Sequence, residues 1–181
     1  MKIYLLISCL FLLGCNSSKK VIEATPQSKA LEALVAQKQF IITSDRAFPR
    51  ASTALNSLAN SGLLGAGNSS GSINLIGNSN YLKMEGDTIS AELPYYGERQ
   101  MGGGYTSEAG IKFKGIPKNY KEIKDTATQH YRITFQINEA SESYMISLTL
   151  FPNWSSSIVV NSSQRSSISY LGNVAEIPDK E

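Results

Sequence analysis

The chain predicts a mainly β, α+β domain: an antiparallel β sandwich or partly closed barrel with one N-terminal helix. Three observations predict it. Apolar residues alternate with polar ones through the last third, at Tyr131, Ile133, Phe135 and Ile137 and again at Tyr144, Ile146, Leu148 and Leu150, the period of a strand with one buried and one wet face. Two alternating runs meet at Glu85-Gly86-Asp87, a hairpin turn whose glycine can take positive φ. Thr25-Pro26 sets an N-cap residue and a first-turn proline ahead of Leu31, Leu34 and Val35, which share one helical face.

The first segment reads as a leader. Lys2 supplies a positive end, and Ile3 to Leu13 is apolar but for Ser8, too short for the ~20 residues a spanning helix needs. Leu12-Leu13-Gly14-Cys15 closes it as the cleavage and lipidation box of a bacterial lipoprotein precursor. Small Gly14 admits a peptidase before Cys15, whose thiol is expected to carry a diacylglycerol and whose new amino group a further acyl chain. Several chains at ~0.8 kcal/mol per buried methylene make a stable anchor. The organisation expected is a signal peptide over 1–14, an anchor and tether over 15–25, one β-rich domain over 26–173 and a flexible tail over 174–181.

Composition narrows the chemistry. The chain has 17 Lys+Arg and 15 Asp+Glu, and loss of Lys2 with the leader leaves it nearly neutral, so no nucleic-acid partner is implied. Of its two cysteines, Cys9 leaves with the leader and Cys15 carries lipid. No thiol remains for a disulfide, a metal or a nucleophile. The ~165 residues left suffice for one domain that buries roughly two-thirds of its unfolded surface.

Taken in order, Asn16 to Ala24 is a polar tether, and the helix from Pro26 ends near Gln39. Phe40 and Ile42 begin a first strand that Phe48-Pro49 ends. Between Ala51 and Gly71, Leu55, Leu58 and Leu63 hint at a broken helical turn, but Gly62, Gly65, Gly67 and Gly71 among Asn68, Ser69 and Ser70 favour a mobile loop. No Gly-Lys-Ser/Thr or dinucleotide fingerprint occurs there, which argues against phosphate binding. Tyr81, Leu82 and Met84 lead into the hairpin and Ile89, Ala91 and Leu93 return. Pro94 breaks the ladder because it lacks a donor. A long loop with Glu98, Arg99, Gly102-Gly103-Gly104 and Tyr105 follows, and order resumes at Ile111 and Phe113. The strands at Tyr131–Asn138, Tyr144–Leu150, Ile158–Val160 and Ile168–Tyr170 make an antiparallel meander, and the tail from Val174 is too polar for core.

Ala47-Phe48-Pro49, the Gly86-Asp87 hairpin, Leu93-Pro94-Tyr95-Tyr96-Gly97, Ile111-Lys112-Phe113, and Arg165 before Ile168-Ser169-Tyr170-Leu171-Gly172 together resemble domain of unknown function 4251, a family of small secreted lipoproteins common in Bacteroidetes. The Leu-Pro-Tyr-Tyr-Gly stretch is the most specific part, and the glycine triplet is a local departure. The resemblance implies no activity. It does imply location: surface-exposed lipoproteins of such bacteria carry acidic residues just after the lipidated cysteine, whereas Asn16-Ser17-Ser18-Lys19-Lys20 has none, so the expected anchor is the inner leaflet of the outer membrane, facing the periplasm. Such bacteria also O-glycosylate Asp-Ser/Thr before a small or aliphatic residue, a pattern that Asp125-Thr126-Ala127 and Asp87-Thr88-Ile89 share; only Thr126 falls in an expected exposed turn.

Catalysis is poorly provided for. The single histidine, His130, begins the most regular strand on its polar face and reads as a solvated residue. One His and no free Cys argue against the common zinc, copper and iron sites. No Gly-x-Ser-x-Gly elbow exists, and serines such as Ser155-Ser156-Ser157 read as turns and edges. Glu85 and Asp87 flank a turn glycine, where acidic residues are ordinary solvated punctuation, and no Asp-x-Asp-x-Asp run offers calcium its ligands. Tyr95, Tyr96 and Tyr105 around Glu98 and Arg99 are the better candidate: aromatic faces and polar edges suited to a sugar or peptide, although tyrosines at a strand end also close cores. Arg165 reads as a structural cation whose stem covers apolar surface. The expected function is a non-catalytic module that binds a small molecule or an envelope protein through Tyr95, Tyr96, Glu98, Arg99 and Tyr105, without cofactor or metal; the alternative is a structural or assembly protein of the envelope, and an enzyme stands last. For Thr126, the tryptic peptide from the native host is expected to carry a glycan mass, and an unmodified peptide would end that assignment.

Overall fold

In the computed structural model, residues 23–100 and 110–178 are described; the leader, Cys15 and Tyr105 lie outside the described residues. Helix α1 (Pro26–Gln37) is capped by Thr25, whose Oγ1 accepts from the Ser28 N–H at 3.1 Å, and ends at Lys38 in the left-handed region, φ 53°. Leu31, Leu34 and Val35 are its buried apolar face, each stabilising the docked helix by roughly 1.5–3 kcal/mol when fully buried. The Trp154 indole donates to the Gln27 carbonyl at 3.1 Å, and Lys124 pairs with Glu32 at 3.0 Å. Both contacts fix the helix on the sheet.

The strands are β1 (Gln39–Pro49), β2 (Ile73–Asn74), β3 (Tyr81–Glu85), β4 (Thr88–Leu93), β5 (Ile111–Gly115), β6 (Lys118–Lys124), β7 (Tyr131–Glu139), β8 (Glu142–Leu150), β9 (Ser155–Ser162) and β10 (Ile168–Ala175). They form one antiparallel sheet in the order β5-β4-β3-β1-β10-β9-β8-β7-β6, with β2 beside β1. β5 and β6 stand at opposite ends of that order, yet only Ile116 and Pro117 separate them in sequence. The connection can span no more than about 11 Å, so the sheet must curl until its two edges meet. The result is a half-barrel, as the alternation of apolar residues on every central strand predicts, and its inside is filled by Phe40, Leu82, Ile89, Phe135, Ile146 and Tyr170, all essentially inaccessible.

The β3–β4 hairpin turns at Gly86, φ 61°, and β7 to β10 make the expected meander. Four elements differ from the sequence expectation. Helix α2 (Thr53–Asn60) replaces the first part of the expected mobile loop because Ser52 caps it, accepting from the Leu55 N–H at 3.2 Å, and Leu55 is buried. β6 shows no alternation because it is an edge strand with neither face fully covered. β2 is two residues long and has no period to detect. Val174, expected in the polar tail, is 2% exposed and pairs with Ile42: one apolar residue at a strand end is enough for the centre of this sheet.

The pairing of β1 with β10 shifts register between Ser44 and Arg46, a bulge that bends the sheet. Asn80 completes the backbone there: its side chain accepts from the Ser44 N–H at 2.8 Å and donates to the Ser44 carbonyl at 2.9 Å, leaving neither buried group without a partner. Gly172 lies opposite Ser44, where a β-carbon would come within 2.0 Å of the Thr43 carbonyl oxygen and 2.6 Å of Ser44 Cα. Gly172→Ala is expected to cost about 3 kcal/mol or more, because backbone rather than a side-chain tip would have to move. Gly71→Ala, where nothing approaches the added methyl, should be nearly neutral. Urea unfolding of both variants reads the difference, and equal midpoints would refute the close-approach argument.

Candidate functional site

Leu93 ends β4 in the core, and Pro94 stops the ladder as the sequence predicts. The freed Pro94 carbonyl accepts from the Tyr170 hydroxyl at 2.8 Å. Tyr95 turns inward: its hydroxyl lies 2.9 Å from the Glu98 carbonyl, 3.0 Å from the Ser166 carbonyl and 2.8 Å from Ser166 Oγ. Its one proton serves one carbonyl at a time while its lone pairs accept from Ser166. A β-carbon on Gly97 would stand 2.3 Å from that phenol oxygen, so the glycine is required by the tyrosine two residues earlier. Backbone bonds from Gln100 to Gln164, 2.7 Å, and from Ser166 to Glu98, 3.0 Å, join this segment to the one before β10.

That junction holds Arg165. Its guanidinium sits over the Tyr95 ring, 5.2 Å from the centroid, its Nε donates to Glu142 Oε1 at 2.9 Å, and its Nη1 donates to the Gly110 carbonyl at 2.9 Å. Both Arg165 and Glu142 are buried. Ser162 also donates to Glu142 Oε1, and Arg99 Nη2 approaches Oε2 at 3.5 Å. Burial pushes the Glu142 carboxyl up, but the hydrogen bonds from Ser162, Arg165 and Tyr144 outweigh it, and its pKa lies below the ordinary 4.5. Tyr144 is pushed strongly up, first by burial and then by the Glu142 carboxylate.

Beside this cluster, where β5 passes the β7–β8 turn, the barrel seam opens into a cleft of about 580 Å³. Phe113 and Tyr144, ring centroids 5.5 Å apart, border it as almost wholly buried core residues. Lys83, Lys112, Lys114 and Arg99 line its sides. Of the residues expected to form one site, the cleft receives only Arg99. Tyr95 is a strut with its hydroxyl committed to the backbone, Tyr96 is half-buried against the core, and Glu98 lines a separate pocket of about 280 Å³ with Arg50. Tyr105 lies outside the described residues. Sequence reasoning missed the cleft lysines; the alternation Ile111-Lys112-Phe113-Lys114 was the available signal, since it puts both charges on one face. Arg165 covers the Tyr95 ring, and its buried pair with Glu142 adds a role the sequence did not reveal. His130 bonds Thr128 and leans on Phe151, centroids 6.2 Å apart, at the start of β7. Thr126 sits exposed in the turn before that strand, where Asp125 accepts from the Ala127 and Thr128 N–H groups. Among the described residues no three His, Cys, Asp or Glu side chains gather as a metal site.

The lowered Glu142 pKa makes a signed prediction. The stabilisation it contributes is fully present above pH 4.5, the ordinary value, and is lost as pH falls through the lower folded value. Glu142→Gln should therefore flatten the loss of stability in acid. At neutral pH it should cost ~3–5 kcal/mol, because it leaves the buried Arg165 charge without its counter-ion. Urea unfolding across this pH range measures both, and a variant with wild-type stability and slope would contradict the assignment.

The fold and sequence also have relatives. The family model for a domain of unknown function, DUF4251, matches residues 23–174. The crystal structure of a DUF4251 family protein from Bacteroides eggerthii DSM 20697 superposes with a TM-score of 0.56 at 13% identity, over 83% of this chain and 87% of that one, a likeness of fold. No curated protein matches the sequence. With most of its length covered by the family model, and the Leu93–Gly97 and Ile168–Gly172 stretches explained as one interlocking junction, this chain belongs to the DUF4251 family.

Proposed function

We propose that this protein is a non-catalytic binding module of the cell envelope, held by lipid on Cys15 at the inner leaflet of the outer membrane with its domain facing the periplasm, and that its ligand occupies the cleft between β5 and the β7–β8 turn. The leader ending in Leu12-Leu13-Gly14-Cys15 and the absence of acidic residues from Asn16 to Lys20 support the location. The observation that carries the binding reading is the cleft itself: its volume falls in the range of small-molecule sites, and charged and polar groups from β3, β4, β5, the β7–β8 turn and the segments around Arg99 and Arg165 converge on it.

The reaction inventory supports binding over turnover. The carboxylate nearest the cleft floor, Glu142, is held as an anion below the ordinary range, the wrong direction for a general acid at neutral pH. Hydrogen bonds from Ser162, Arg165 and Tyr144 hold it there.

Two measurements test the proposal. Cells fed labelled palmitate should label the wild-type protein and not Cys15→Ala; an unlabelled wild type would refute the anchor. Native mass spectrometry of the lipoprotein extracted from its own host should show an added mass that leaves on denaturation. Ser141→Trp, which places a large ring in the cleft from an exposed turn position lining it, should lose that mass. An added mass that survives in the variant would put the ligand elsewhere, and a bare protein in both would turn the reading toward a protein partner.

A further inference from the structure

Resting on the cleft as the ligand site, its charge defines what it takes. Five cations line it, Lys83, Arg99, Lys112, Lys114 and Arg165, against three carboxylates. The cleft thus carries a formal charge of +2, as much as the full-length chain. Two of the cations have internal duties: Lys83 pairs with Glu85 at 2.9 Å and Arg165 with Glu142 at 2.9 Å. Arg99 is shared, lying 3.5 Å from Glu142 and 3.2 Å from Gln164 Oε1, and its buried Nε has no hydrogen-bond partner among the described residues. Lys112 and Lys114 are exposed and make no ion pair among the described residues. They stand two residues apart on one face of β5; Ser90 of β4 lies opposite Lys114 with Lys83 opposite Ser90, and Glu92 of β4 lies opposite Lys112. Phe113, between the two lysines in sequence, points to the core face, where its ring packs on Tyr144.

We propose that the cleft binds an anion: a small molecule with a carboxylate or phosphate head, taken by Lys112, Lys114 and Arg99. The head replaces water around two lysines that make no ion pair among the described residues and around an arginine shared with Glu142, and charge-assisted hydrogen bonds to an oxyanion are the strong ones. A guanidinium presents its donors to such a head in a planar fork, and the lysines add point charge.

Isothermal titration of the detergent-solubilised full-length lipoprotein with phenyl phosphate, benzoate, inorganic phosphate and benzyl alcohol tests this. Phenyl phosphate or benzoate should bind at least about tenfold more tightly than benzyl alcohol, roughly the loss expected for one charge-assisted hydrogen bond. Which aromatic anion is preferred distinguishes a phosphate ligand from a carboxylate one. Binding should weaken with added salt, and Lys112→Ala with Lys114→Ala should weaken it about tenfold while leaving the melting temperature in place, since both side chains are exposed. Binding of benzyl alcohol as tight as the anions, lost in Ser141→Trp, would keep the cleft as a ligand site and overturn the anion. Anion binding unchanged in the double lysine variant would also overturn it. No binding of any probe would sink both the anion and the cleft.

Discussion

The open side of the barrel depends on one buried ion pair, Glu142 with Arg165. The Ile116-Pro117 connection brings β5 round to the far edge of the sheet, but among the described residues no ladder joins β5 to β7, so backbone groups along that seam need other partners. Arg165 provides one, donating to the Gly110 carbonyl just before β5 while its Nε holds Glu142 at the start of β8 and its face rests on Tyr95. A single guanidinium therefore ties three segments that are far apart in sequence. An apolar side chain of similar volume would fill the space with comparable energy, since burying two charges costs nearly what their attraction returns. It would not satisfy the carbonyl. The pair is better understood as fixing where the edges of a curled sheet stop relative to one another.

The same constraint explains why the Leu93–Gly97 stretch has its composition. Each residue serves the junction: Leu93 fills core, Pro94 ends the ladder and leaves a carbonyl for Tyr170, Tyr95 reaches the Ser166 segment, and Gly97 clears space for the phenol. A cluster of tyrosines beside a glycine looks from sequence like a surface for stacking on a ligand. In the folded chain, Tyr95 supports the floor under Arg165, and any effect of that residue on binding passes through the arginine's position.

What was legible in the sequence follows the range of the forces involved. Alternation on β3, β4, β7 and β8, the Gly86 turn and the Thr25 cap are local consequences of burial on one face or of the dihedral freedom of one residue, and they read directly. Helix α2 was obscured because glycines downstream dominate its neighbourhood, although Ser52 was present as a cap. β6 carries no period because neither face is covered. The seam was not legible at all: the contacts that build it join Tyr95 to Ser166, Arg165 to Gly110 and Arg165 to Glu142, and nothing in the local composition of any one segment announces the other. Arg99, expected beside the loop tyrosines, lines the cleft instead, where most of its neighbours come from strands rather than from that loop.

Lysines on the first and last strands of a sheet have a general explanation, protection of open edges against pairing with another chain, and it has to be weighed against a role in binding. The two edges of this sheet separate the cases. β6 carries Lys118, Lys121 and Lys124, of which Lys124 is engaged by Glu32 of the helix, and none of them lines the cleft at the seam; they suffice as edge protection. β5 is shorter, and the passing end of β7 and the β7–β8 turn already crowd its edge, so it has less need of charge to repel a strand. Lys114 nonetheless aligns with Ser90 and Lys83 across the sheet, and with Lys112 it fronts a cleft. Edge protection needs charge to point anywhere outward. Two lysines fronting a cavity, beside an arginine whose buried Nε has no partner among the described residues, are a more specific arrangement than that need requires, and it is this excess that the anion reading of the cleft explains.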